Sequence, residues 1–259
     1  MSCGGAPRSD PVVTNQILIV AAGAAAAGFV QGLTGFAFGL VALAIWAWAL
    51  EPALAAPLVV FGSIIGQLLG IKYTRAGWRG AEVAPFIIGG IAGVPLGVWL
   101  LRFIDPVVFK ACVGAMLMIW CPVMLFSRNI PVITWGGRFG DACAGWVGGV
   151  MGGIGGLTGP APILWTTLRG WDRDRQRGVF QAFNLCMHSL TMTVYIVSGT
   201  IPRESFALFW VVGPAILVPA VLGGRLYPLI SDLTFRRVIL GLLTASGVVL
   251  IVSSARALL

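Results

Sequence analysis

The sequence predicts an all-α polytopic membrane protein of two inverted-topology repeats, each a broken re-entrant helical hairpin followed by three transmembrane helices. Three observations predict it: an apolar composition, a motif repeated at a constant offset, and a one-sided distribution of basic residues. Of 259 residues, 58% are hydrophobic and 10% charged, and the mean hydropathy is +0.94. A soluble domain carries about 25% charged residues, so an ordinary water-soluble enzyme is excluded. The chain also holds 36 Gly and 15 Pro, which interrupt helices unless neighbours satisfy the freed backbone groups. Breaks inside the membrane are therefore expected.

The uncharged runs give the elements in order. Residues 52–71, 83–101, 111–127, 178–202, 205–224 and 238–255 each lie between consecutive charges and have the length of one span. Two runs differ. Residues 11–50 form a run too long for one span, and residues 142–168 one too short for two, and each has a Gly-rich break near its middle. Arg8 ahead of an apolar stretch ending in Ala24 to Ala27 has the look of a secretion signal, but the apolarity continues beyond any cleavage point and the segment has an internal counterpart.

That counterpart defines the repeat. Gly32-Leu33-Thr34-Gly35 recurs as Gly156-Leu157-Thr158-Gly159 at an offset of 124, which Gly28 and Gly152 share. At an offset of 127, Gly97 matches Gly224, Asp105 matches Asp232, Lys110 matches Arg237 and Gly114 matches Gly241. Two halves follow, residues 1–128 and 129–259, and one conformation is expected to serve both breaks. If each broken segment crosses the membrane fully, the Lys and Arg residues divide almost evenly between the two sides. If each enters partway and returns, Lys72, Arg75, Arg79, Arg128, Arg138, Arg169, Arg173, Arg175, Arg177, Arg225, Arg236 and Arg237 share one side, leaving Arg8, Arg102, Lys110, Arg203 and Arg256 on the other. The positive-inside rule selects the second arrangement, with both termini outside, on the periplasmic face.

Inverted repeats with interrupted helices place a binding site at the bilayer midplane, where the breaks meet. In each Gly-Leu-Thr-Gly turn the glycines let the backbone approach a ligand, and the half-helix that follows turns its N–H groups and positive dipole end toward it. Such a site suits an anion. Gly32, Gly35, Gly156 and Gly159 would form the turns, Thr34 and Thr158 would add hydroxyl donors, and Gln31 stands beside the first turn. Pro160 fits the start of the second half-helix. Close helix packing at small residues is the competing account of these glycines.

A second constellation lies in the run 178–202. Gln181, Asn184, His188, Thr191 and Tyr195 step by 3, 4, 3 and 4 and so share one helical face. Polar groups within lipid face a bundle interior or an aqueous path, so the stripe either lines a pathway, with Asn184 and His188 nearest the ligand, or binds this helix to a neighbour. The corresponding span of the first half offers Ser63 and Gln67. No Asp or Glu falls deep within a span, which weighs against a carboxylate proton relay or acidic sodium site and leaves no paired carboxylates for catalysis. His188, the chain's single histidine, is the one group there that titrates near neutral pH. Cys3, Cys112, Cys121, Cys143 and Cys186 form no CxxC pair, so neither a disulfide nor a metal site is expected, and no cofactor motif is present. The net charge of +8 lies in loops between apolar runs, which argues against nucleic acid and for a lipid bilayer as the partner.

The stretch Gly28-Phe29-Val30-Gln31-Gly32-Leu33-Thr34-Gly35-Phe36, its match from Gly152 to Pro162, and the two-half layout resemble the TauE/SafE sulfite exporter family over about residues 15 to 255. The resemblance implies no enzyme but an inner-membrane transporter of small sulfur-containing anions such as sulfite or sulfoacetate, often an exporter; it chooses neither the substrate nor the oligomeric state. Export by alternating access is the expectation, with the anion held between the two tips. Proton-coupled uptake through His188 and a non-transporting membrane enzyme or assembly subunit are the alternatives. The run Arg169-Gly170-Trp171-Asp172-Arg173-Asp174-Arg175 reads as a topological anchor, with attraction of anions to the cytoplasmic mouth as the alternative.

Overall fold

The computed structural model describes residues 11–71, 80–126, 132–226 and 232–258. Arg8, Lys72, Arg75, Arg79 and Arg128, which entered the charge distribution, and Cys3 lie outside them. Among the described residues there are ten helices and no strand: α1 (Pro11–Thr34), α2 (Phe38–Trp46), α3 (Pro52–Gly70), α4 (Gly80–Leu101), α5 (Pro106–Phe126), α6 (Gly137–Gly155), α7 (Pro160–Leu168), α8 (Arg173–Val197), α9 (Glu204–Leu226) and α10 (Asp232–Leu258).

Local chemistry sets several of these boundaries. Pro52 and Pro160 open α3 and α7 in the first turn, where a missing N–H has no intrahelical acceptor to lose. Asp105, one of the repeated acids, accepts the Val107 N–H at 2.7 Å at the start of α5, and Asp172 accepts the Arg175 N–H at 2.9 Å to cap α8. Prolines inside α3, α4, α5 and α9 are tolerated because neighbouring helices shield the backbone they disturb.

Among the described residues, five helices are long and apolar enough to cross a membrane: Asn15–Thr34, Pro52–Gly70, Gly80–Leu101, Pro106–Phe126 and Glu204–Leu226. This set differs from the six expected spans. The segment Asn15–Thr34 belongs to the first broken run, whereas two expected spans are missing from the set: α8 carries the polar stripe and basic first turns and falls short in apolarity, and α10 contributes only the shorter apolar stretch Leu243–Arg256. At 1.5 Å per residue α1 is about 36 Å long. The nine-residue α2 that returns from the break is much shorter, so the two arms of the first hairpin are unequal.

Both broken segments fold back on themselves. The Trp46 indole, at the end of α2, donates to the Ile19 carbonyl near the start of α1 at 3.3 Å. At the end of α7, Trp165 Nε1 donates to Asp141 Oδ1 at 2.8 Å, and Arg169 pairs with the same carboxylate at 2.7 Å. Around these hairpins α1 packs along α9 and α6 along α4, α3 on α9 and α8 on α4, α5 on α10, and α3 against α8. Small residues bring the pairs close: a Cβ on Gly97 would overlap the Val150 carbonyl between α4 and α6.

Contacts at the helix ends sort into two groups. At one end Arg102, after α4, donates to the Ser198 carbonyl at 2.6 Å, and a cavity of about 570 Å³ is lined by Asn15, Ile19, Glu51, Leu54 and Glu204 among others. At the other, Arg175 pairs with Glu82 at 3.0 Å near the start of α4 and stands 3.9 Å above the Trp171 ring, beside the Asp141–Arg169 pair.

Candidate functional site

The two breaks lie against each other. A Cβ on Gly39, in the first turn of α2, would stand 2.8 Å from the Gly156 carbonyl oxygen, and one on Gly159 would stand 3.6 Å from the Phe36 ring and 3.8 Å from Asn184 Nδ2. Trp120 of α5 reaches both tips: its indole donates to the Pro160 carbonyl at 3.0 Å, and its ring meets Phe36 edge to face with centroids 6.1 Å apart.

The tips are built differently, although one conformation was expected. In the first copy of the motif the second glycine takes the left-handed backbone, Gly35 at φ 85°; in the second copy it is the first glycine, Gly156 at φ 70°. Consequently α1 runs through Thr34, whereas α6 stops at Gly155. The second copy continues into Pro160-Ala161-Pro162 where the first has Phe36-Ala37-Phe38. Gly159, the residue before Pro160, keeps helical backbone angles (φ −74°, ψ −41°), so it is the left-handed Gly156 and not the proline that ends α6.

The side chains follow this difference. Thr34 donates to its own helix at the Val30 carbonyl (2.8 Å), and its oxygen accepts the N–H groups of Phe36 (3.4 Å) and Ala37 (3.2 Å). Gln31 accepts the Phe38 N–H at 3.0 Å and, with Gln67, donates to the Gly35 carbonyl. The amides expected to greet a ligand at the first tip are thus engaged by Thr34 and Gln31. Gly32 sits against the α9 backbone, where a Cβ would overlap the Ala220 carbonyl, so its place is in helix packing.

At the second tip the groups converge. Thr158 donates to Asn184 Oδ1 at 2.8 Å, which leaves the Asn184 amide nitrogen buried beside Gly159 with no hydrogen-bond partner among the described residues. His188 holds Nδ1 2.6 Å from the Asn184 carbonyl and Nε2 3.1 Å from the Gly156 carbonyl. Prolines at 160 and 162 carry no N–H, so Gly159 and Ala161 supply the amide donors at the start of α7.

The remaining stripe divides. Tyr195 donates to the Gly153 carbonyl at 2.6 Å and Gln181 donates to the Gln67 carbonyl, so these two pin α8 to α6 and α3. Thr191 is fully buried and its hydroxyl has no partner among the described residues, as is the case for Gln67 Oε1. Ser63 is buried on α3 one turn before Gln67.

One residue escaped sequence reasoning. Arg177 lies four residues before Gln181 and so belongs to the same face of α8, but it was counted only as a loop charge. Its Nε is buried and stands 3.7 Å from the position of a Cβ on Gly35. Extending the 3–4 spacing one step toward the helix start would have found it.

Apolar helices of spanning length, folded around two broken segments that meet among buried polar side chains, define a multi-pass membrane protein. The family model described as sulfite exporter TauE/SafE matches residues 19–250, nearly the whole chain, and the protein belongs to that family of membrane anion transporters. Neither the curated proteins nor the solved structures include a match to the chain.

Proposed function

We propose that this protein exports small sulfur-containing anions, sulfite or organosulfonates such as sulfoacetate, across the inner membrane. Residues 1–128 and 129–259 act as inverted halves that rock to give alternating access, with both termini on the periplasmic side. The family supports the cargo class, and the reciprocal packing of α1 on α9 and α6 on α4 supports the halves. The observation that carries the site is the buried Asn184 amide donor beside Gly159, opposite Phe36 of the other tip. A buried donor without a partner is destabilising, and an oxyanion accepts from it. An interior-negative potential favours anion exit by about 2.3 kcal/mol per charge per 100 mV, so export needs no acidic coupling site.

A thermal-shift screen of the purified protein tests this, because a ligand that binds the folded state raises its melting temperature. Sulfite or sulfoacetate is expected to stabilise it more than acetate does. A response to none of sulfite, sulfoacetate, taurine and sulfate removes the assignment.

One observation favours a second reading. Both ring nitrogens of His188 face carbonyl oxygens, an arrangement in which each can carry a proton, and proton-coupled uptake through this residue is the rival.

A further inference from the structure

The arginines around the start of α8 have divided roles. Arg169 and Arg175 are held at the helix ends by Asp141 and Glu82 and stack on Trp171. Arg177 is two residues beyond Arg175, about 200° around the helix, and is turned from that cluster into the bundle. Its guanidinium Nε and Cζ stand 3.7 and 4.0 Å from the point where a side chain would begin on Gly35, the left-handed residue of the first tip. Below it on the same face follow Gln181, Asn184 and His188. At an offset of 124 the first half has Ala53 in place of this arginine, so the charge is one-sided.

Arg177 is half-buried with its Nε fully enclosed, and a cationic side chain drawn partly into a membrane bundle is expensive and marks a functional path. Its planar fork fits two oxygens of one oxyanion, which an ammonium does not reproduce. We propose that Arg177 is the cationic contact of the transported anion, taking two of its oxygens beside Gly35 on the way to or from the Asn184 amide. This rests on the anion-export reading above.

Calorimetric titration of sulfite and sulfoacetate into the full-length, detergent-solubilised protein tests it, with Arg177→Gln, Arg177→Lys and, as a control at the opposite end, Arg102→Gln. The expected result is a Kd for sulfite at least tenfold higher in Arg177→Gln, at least threefold higher in Arg177→Lys, and unchanged in Arg102→Gln. A wild-type Kd retained in Arg177→Gln overturns the arginine assignment and leaves the anion reading standing. Wild-type protein that binds neither anion overturns both. If Arg177→Gln does not fold, as judged by size-exclusion elution, Arg177→Lys decides, and a Kd equal to wild type there overturns the forked contact.

Discussion

The Thr158 hydroxyl and the Asn184 carboxamide are joined by a 2.8 Å hydrogen bond that fixes which end of the amide faces the second tip. Because the oxygen is taken, the NH2 group points at Gly159. Thr158→Val leaves the Asn184 oxygen buried and unpaired, which destabilises the fold by about 1–3 kcal/mol. It also frees the amide to rotate, and sulfite affinity is expected to fall about tenfold, the equivalent of one such hydrogen bond. Thermal unfolding and titration read the two effects separately; unaltered affinity removes Thr158 from the site.

Asn184→Asp keeps the size of the side chain and replaces the donor with a carboxylate at the tip. Sulfite binding is expected to drop at least 100-fold, since a like charge in a buried site opposes the ligand. Titration checks it, and retained binding places the anion elsewhere.

Tyr195 lies on the same helical face but its hydroxyl is committed to the Gly153 carbonyl. Tyr195→Phe is expected to lower stability by about 1–2 kcal/mol by leaving that carbonyl short of a donor. Sulfite affinity should stay within about twofold of wild type, given that additivity holds for sites without shared partners. A large loss of affinity would extend the ligand site to the end of the stripe.

The two readings of His188 separate in proteoliposomes. Uncoupled export predicts sulfite flux that ignores an imposed pH gradient in both wild type and His188→Gln. Wild-type flux that follows the gradient, with the dependence abolished in the variant, establishes the coupled mechanism instead.

Sidedness is testable with single cysteines in a background free of native ones. Trp135→Cys, before α6, and Asp172→Cys, after α7, are expected to react with a membrane-impermeant maleimide from the inner side, and Glu51→Cys from the outer. All three positions are exposed or flank the hairpins. Labelling of positions 135 and 172 from opposite sides means the second hairpin crosses the bilayer, and the inverted layout fails.

Much of this architecture is written in the residue pattern. The unusual lengths of the two uncharged runs marked both broken segments, and the 3–4 spacing from Gln181 to Tyr195 marked a face that is buried at Gln181, Asn184, His188, Thr191 and Tyr195. What the pattern concealed depends on tertiary neighbours. Gly32 is indistinguishable from Gly156 by motif, yet it packs against Ala220 of a helix nearly two hundred residues away. Thr34 and Thr158 occupy matching positions, but Thr34 is the last residue of α1 whereas Thr158 lies beyond the left-handed Gly156 that ends α6, so one hydroxyl goes to its own helix and the other to Asn184. Arg177 was legible by register and missed because charge arithmetic treats every arginine near a helix start as a loop residue.

Trp120 has a mechanical consequence. Its indole is tethered to the Pro160 carbonyl of one tip while its ring abuts Phe36 of the other, and it belongs to a third element, α5. Any motion that draws the tips apart must either strip the indole N–H of its acceptor or drag α5 along with one of them. In the proposed alternating-access cycle this residue would serve as a latch, and the hydrogen bond of its indole N–H would be the gauge of each release.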